Sequence, residues 1–319
     1  MSKKHFSWLL ALTIIIAAVI FLMPGKTGHE SEFAVRPLIP GSETWVNDVA
    51  KVRIVKAGNQ TVATLSRGEQ GWRVEESQSY PADWARLKGM LAALAQAQVI
   101  EPKTTNPAYF DRLGLVDVTD AASSAVMVAI GEGDKAITLL IGHAAQGRQG
   151  HYVRFADNDQ ALLIDRTVEV ATETRDWLDR SIIDLKEAEV VEVTITHADG
   201  EQVSVSKNSA DNQNFTLRGL PKGREIQSSW GVNALGGSLS ELVLDEVVAD
   251  SQLDWSQANH VRLLTADGLE IAAELVKSEE KSWLRLAASA YAPEHKVTRT
   301  EEEKQDAASM EEAAAAELG

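Results

Sequence analysis

The stretch GWRVEESQSYPADWARLKGMLAAL, Gly71 to Leu94, changes its period half-way along. Trp72 and Val74 alternate with polar neighbours, the two-residue repeat of a half-buried strand. From Trp84 the apolar residues are Trp84, Leu87, Met90, Leu91, Leu94 and Ala95, which share one stripe of an α-helix. Pro81 suits the first turn of that helix and Asp83 its N-terminal dipole. Upstream, Asp48 to Glu76 holds three alternating runs parted by AGNQ and RGEQG, the pattern of a β-meander with turns between its strands. The unit read outward from the quoted stretch is therefore a meander that feeds a helix.

The same pattern recurs. Glu189 to Leu220 repeats the meander, with Val52 and Ile54 answering to Val193 and Ile195, and Trp72 and Val74 to Phe215 and Leu217. Leu87, Leu91, Leu94 and Val99 match Leu235, Leu239, Leu242 and Val247 at one constant offset, although Gly231, Gly236 and Gly237 weaken the second helix. Further on, Ala125 to Gly142 resembles His260 to Lys277, and HYVRFA from His151 resembles SWLRLA from Ser282, so that Tyr152 and Arg154 answer to Trp283 and Arg285. The expected fold class is α+β: a tandem duplication of an antiparallel β-meander with a helix packed on one face. The apolar run through Thr174 to Leu185, TRDWLDRSIIDL, is expected as a helix closing the first copy.

The 319 residues carry a net charge of −16, which argues against nucleic-acid binding, since that needs clustered Lys and Arg. With no cysteine, disulfides, thiolate catalysis, Cys-ligated metal sites and Cys-linked lipid anchors are all excluded. Lys3 and Lys4 precede an uncharged, almost wholly apolar run from Phe6 to Met23, long enough to span a bilayer core and too long for the apolar part of a cleaved signal peptide. The lysines before it place the N-terminus in the cytoplasm and the bulk of the chain in the periplasm of a bacterial inner membrane. The expected division is residues 1–5 cytoplasmic, 6–23 transmembrane anchor, 24–45 stalk, 46–186 first α+β module, 187–292 second α+β module and 293–319 an acidic, Ala- and Glu-rich disordered tail that has too few large apolar residues to form a core.

Tyr80, Asp83 and Arg86 stand together at the strand-to-helix joint, but REIQSSWGVNAL in the second copy keeps the apolar spacing without them, which favours a structural joint over a catalytic one. His143, His151, Asp157 and Asp159 surround a Gly-rich loop whose spacing matches no metal, P-loop or dinucleotide motif and which reads as a hairpin connection. Ser278 and Lys281 fit S-x-x-K by spelling, without the companion motifs. No catalytic, cofactor-binding or metal residue is assigned, and no cofactor is expected.

A Trp strand followed by YPAD, an apolar helix, KTTNPAYFDRLGL, IGHAAQGRQGHYVRF and DWLDRSIIDL resembles the bacterial family known as domain of unknown function 4340. The resemblance implies a single N-terminal tether in the inner membrane and an association with auxiliary components of gliding-motility-type ABC transport systems; it implies no catalytic residues. The expected function is a non-enzymatic, inner-membrane-anchored periplasmic module that binds protein partners in the envelope, such as ABC transporter components. Two alternatives are an envelope hydrolase acting on polysaccharide or peptide through carboxylates such as Asp111 and Asp117, and a periplasmic ligand- or cation-binding domain.

Overall fold

The computed structural model describes residues 34–292, apart from 43–47, 134–135, 208–213, 221, 227 and 240–241. The apolar run 6–23 and the tail 293–319 lie outside the described residues, and among the described residues no helix is long and apolar enough to cross a membrane. The chain is α+β in character, with mostly antiparallel sheets and a few helices. It divides into two compact units: one runs to Gln70 and resumes over Trp84–Glu173, the other takes Gly71–Asp83 and everything from Thr174.

In the first unit the meander opens with β2 (Lys51–Lys56) and β3 (Gln60–Gly68), turned by Gly58 and Asn59 at positive φ. Helix α1 (Trp84–Gln96) buries Leu87, Met90, Leu91 and Leu94, four of the six residues on the expected stripe, while Trp84 at its start is 50% exposed. The remaining strands are β1 (Arg36–Pro37), β6 (Gln98–Pro102), β7 (Val126–Ile130), β8 (Ile137–Ala144), β9 (His151–Phe155) and β10 (Leu162–Ile164). They run in the order β1-β6-β10-β9-β8-β7-β2-β3, antiparallel throughout.

Ile54 and Val55 are both fully buried although neighbours on a strand point to opposite faces, so both faces of this sheet are covered. The cover over Val55 and Leu140 is the connection KTTNPAYFDRLGL, where Asn106 caps a turn by accepting the Ala108 N–H. The short helix α2 (Phe110–Leu113) follows, and Phe110, Leu115 and Val118 drop onto the sheet.

Residues 36–42, read above as stalk, are part of this unit. Arg36 and Pro37 pair with Val99 and Gln98, Leu38 and Ile39 are buried, and Ser42 Oγ donates to the Ala95 carbonyl. Pro37 sits in this edge strand, where a missing N–H costs nothing.

In the second unit β4 (Gly71–Val74) and β5 (Tyr80–Pro81) form a hairpin. Pro81 therefore lies in a strand, not in the first turn of α1. The stretch Thr174–Leu185 is also not the expected helix: only Thr174–Trp177 makes one 3-10 turn. Leu178 then bridges Ala82, the Asp179 N–H donates to the Pro81 carbonyl, and Ser181 bridges Val243. The Asp179 carboxylate accepts the Ser181 N–H, so beyond the 3-10 turn that carries the buried Trp177 the backbone runs extended through the buried Leu178 instead of continuing as a helix.

The second sheet has the order β13-β12-β11-β14-β15-β16, formed by β11 (Val190–Thr196), β12 (Gln202–Ser206), β13 (Thr216–Leu217), β14 (Asn259–Thr265), β15 (Leu269–Ser278) and β16 (Lys281–Ala290). Its β12-β11-β14-β15-β16 order is the counterpart of β3-β2-β7-β8-β9. Helix α3 (Ser229–Gly236) packs on β11 and β12, and its last residue must be glycine because a Cβ there would come within 2.0 Å of the Phe215 ring. Leu235, Leu239 and Leu242 nevertheless all reach the same core as Val193 and Val205, so the apolar spacing outlasts the helix.

Candidate functional site

The strand-to-helix joint is held by main-chain bonds. Ala82 N–H donates to the Trp72 carbonyl and Asp83 N–H to that of Trp177. Burial raises the Tyr80 phenol above its ordinary value, and the nearby Asp179 carboxylate adds to this. Tyr80 and Asp83 fall in the second unit and Arg86 in the first.

The two histidines of the Gly-rich loop do different things. His143 Nε2 lies 3.0 Å from Ser124 Oγ on the surface, and among the described residues no carboxylate pairs with that imidazole, so the Ser–His contact lacks the orienting third group of a nucleophilic triad. His151 Nδ1 accepts the Val168 N–H at 3.0 Å, which fixes the neutral tautomer with its proton on Nε2. Burial lowers the His151 pKa, with the neighbouring Arg166 main chain and Glu169 opposing the shift.

Gly150, at φ 130°, brings the loop backbone so close to β10 that a Cβ would lie 2.1 Å from the Ile164 carbonyl oxygen. The glycine is needed for strand packing. Among the described residues no three His, Asp or Glu side chains converge as a metal site would require.

The other sequence candidates lie at turns and on a short helix. Asp117 accepts the N–H and Oγ–H of Thr119, which lower its pKa, with Arg154 adding to the shift. Asp111 is exposed on α2. Ser278 and Lys281 close the β15–β16 hairpin across Glu279 and Glu280, both at positive φ, and Lys281 pairs with Glu246.

Three features carry no sequence motif. Arg154 is buried, donates Nη1 to the Phe155 and Asn158 carbonyls and stacks 4.8 Å over the Phe110 ring; Arg285, aligned with it in the sequence, stacks 4.5 Å over Trp255 and pairs with Asp250 and Glu274. The aligned pairs HYVRFA and SWLRLA predicted the matching arginines; the aromatic beneath each comes from a distant connection.

The second feature is a shallow depression of ≈ 280 Å³ on the outward face of the second sheet, lined among others by Thr194, Thr196, His260, Arg262, Glu270 and Glu274. Its charges are already matched, Arg262 to Glu270 at 2.7 Å and Glu274 to Arg285. The third is Trp230 on α3, 78% exposed, in a unit that also exposes Leu220, Ile226 and Val243.

Structurally this is a β-rich α+β protein in which two antiparallel sheets share an order of five strands. The chain belongs to the family described as Domain of unknown function (DUF4340), whose model matches residues 72–262, more than half of the sequence. No curated protein and no solved structure matches it.

Proposed function

We propose that the chain is a non-enzymatic periplasmic module, anchored in the inner membrane through residues 6–23, that binds a protein partner belonging to an ABC-type transport or envelope system. The observation that carries this reading is Trp230. A tryptophan left 78% exposed forgoes much of its burial energy, and exposed large apolar side chains concentrate at protein contact surfaces. The apolar run before the folded units supports the tether. The shared strand order, the matched Val52/Val193 and Ile54/Ile195 positions and the stacked Arg154/Phe110 and Arg285/Trp255 pairs support a tandem duplication of a meander-and-helix unit.

The test is a photo-crosslinking residue in place of Trp230 in intact cells, followed by purification of adducts from the inner-membrane fraction. A discrete protein adduct, and loss of the co-purifying protein in Trp230→Ala at unchanged thermal stability, is the expected result. Recovery of the chain from the soluble fraction, or a Trp230 position that crosslinks to nothing while an exposed position elsewhere does, would sink the proposal.

A further inference from the structure

Strand β16 forms a regular ladder with β15 from Ser278↔Lys281 to Leu269↔Ala290, with no register shift, and among the described residues nothing pairs with its other edge. Its counterpart β9 is not left so: β10 pairs with it at Leu162↔Val153 and Leu163↔Tyr152, and β6 and β1 extend the sheet beyond. Long open edges are normally blunted by proline, a bulge or outward charges. Lys281–Ala290 contains no proline, and its two charges are turned onto its own chain, Lys281 to Glu246 and Arg285 to Asp250 and Glu274.

The two-residue turn at Glu279 and Glu280 sets which groups face outward. It makes Ser278 and Lys281 a hydrogen-bonded pair. Odd-numbered residues of β16 therefore bond to β15, as the Tyr291 N–H to the Gly268 carbonyl continues to do at 2.8 Å. The N–H and C=O groups of Ser282, Leu284, Leu286, Ala288 and Ala290 point away from the sheet.

We infer that this edge pairs antiparallel with the same strand of a second copy, about a two-fold axis at Ala287. A two-fold normal to the sheet keeps the core faces on one side, so residues pair on matching faces. With the axis at Ala287, Leu286 meets Ala288 and Leu284 meets Ala290 on the core face, while Arg285 meets Ser289 and Trp283 meets Tyr291 on the other. Each large side chain lies across from a smaller one or from another aromatic, and no like charges are opposed. Moving the axis to Arg285 would set two guanidiniums face to face. The self-complementary sizes favour a second copy over an unrelated strand. One strand pair falls short of the roughly 1,000 Å² of a stable interface, so the association needs high local concentration and is best detected by trapping.

The chain has no cysteine, which makes the trap specific. Ala287 is exposed, and as a non-hydrogen-bonded pair on the axis its two Cα atoms would stand about 4.5 Å apart, within disulfide range. Full-length Ala287→Cys, oxidised mildly in its native membrane, should form a disulfide dimer, and Ser282→Cys, exposed on the same strand but far from the axis, should not. Adding Ala288→Pro, which removes an outward N–H and spares the β15 ladder, should lower the trapped fraction about tenfold, since two symmetry-related bonds are lost.

Equal trapping at 282 and 287, trapping at 287 that survives Ala288→Pro in a folded chain, or no dimer at all would overturn the inference; cover of the edge by residues 293 onward, or by another protein's strand, would give the last of these. If Ala288→Pro loses its circular dichroism, the contrast between positions 287 and 282 decides.

Discussion

Gly150→Ala tests whether the Gly-rich loop is a packing device or a ligand loop. At φ 130° an L side chain is strained by about 1–3 kcal/mol. The new Cβ would also lie 2.1 Å from the Ile164 carbonyl oxygen, a main-chain atom that moves only if β10 shifts away from β9, and overpacking of that kind costs about 1–3 kcal/mol. The expected loss is therefore about 2–6 kcal/mol, a large part of the stability of an ordinary domain. Gly147→Ala in the same loop is the control. Its φ is 75° and nothing lies within 4 Å of its Cβ, so only left-handed strain of about 1–2 kcal/mol applies, partly offset by a stiffer unfolded chain. Urea unfolding followed by circular dichroism measures both. Equal midpoints for the two variants would refute the argument that β10 dictates this glycine, and would return the loop to the list of candidate ligand sites.

Leu91→Asp, which places a carboxylate at a position 1% exposed on α1, should unfold the first unit, seen as loss of the cooperative transition. Asp83→Ala and Tyr80→Phe should each cost about 1 kcal/mol or less and leave complementation intact, because the joint is held by main-chain bonds; loss of function at unchanged melting temperature would reverse that reading. His151 has a folded pKa below its ordinary 6.5, so the neutral ring favours the fold: its contribution is fully present above that value and is lost as pH falls through the lower folded pKa. Unfolding midpoints measured from pH 7.5 to 5 should decline less steeply in His151→Gln than in the wild type, and parallel curves would contradict the assignment.

Periodicity was enough to read α1, the meander at β2–β3 and its recurrence at β11–β12, because each has an alternating or helical apolar pattern that only one pairing register can bury. Leu235, Leu239 and Leu242 keep their apolar spacing past the end of α3 and pack on the core of the second sheet, where Gly236 leaves room for Phe215. Local pattern failed where the deciding partner is far away in sequence. TRDWLDRSIIDL has enough apolar residues for a helix, yet Ala82 and Val243 take up its backbone and draw it out. Arg36–Ser42 looks like a linker until β6 and the end of α1 supply its hydrogen bonds.

Ser124 beside His143, Val168 on His151 and Phe110 beneath Arg154 are juxtapositions across 17 to 44 residues, visible only after folding. Burial of apolar area is nearly additive along a chain, so composition and period record it. A hydrogen bond or a stacked cation depends on the direction of two groups at once, and that geometry is set by the tertiary structure alone.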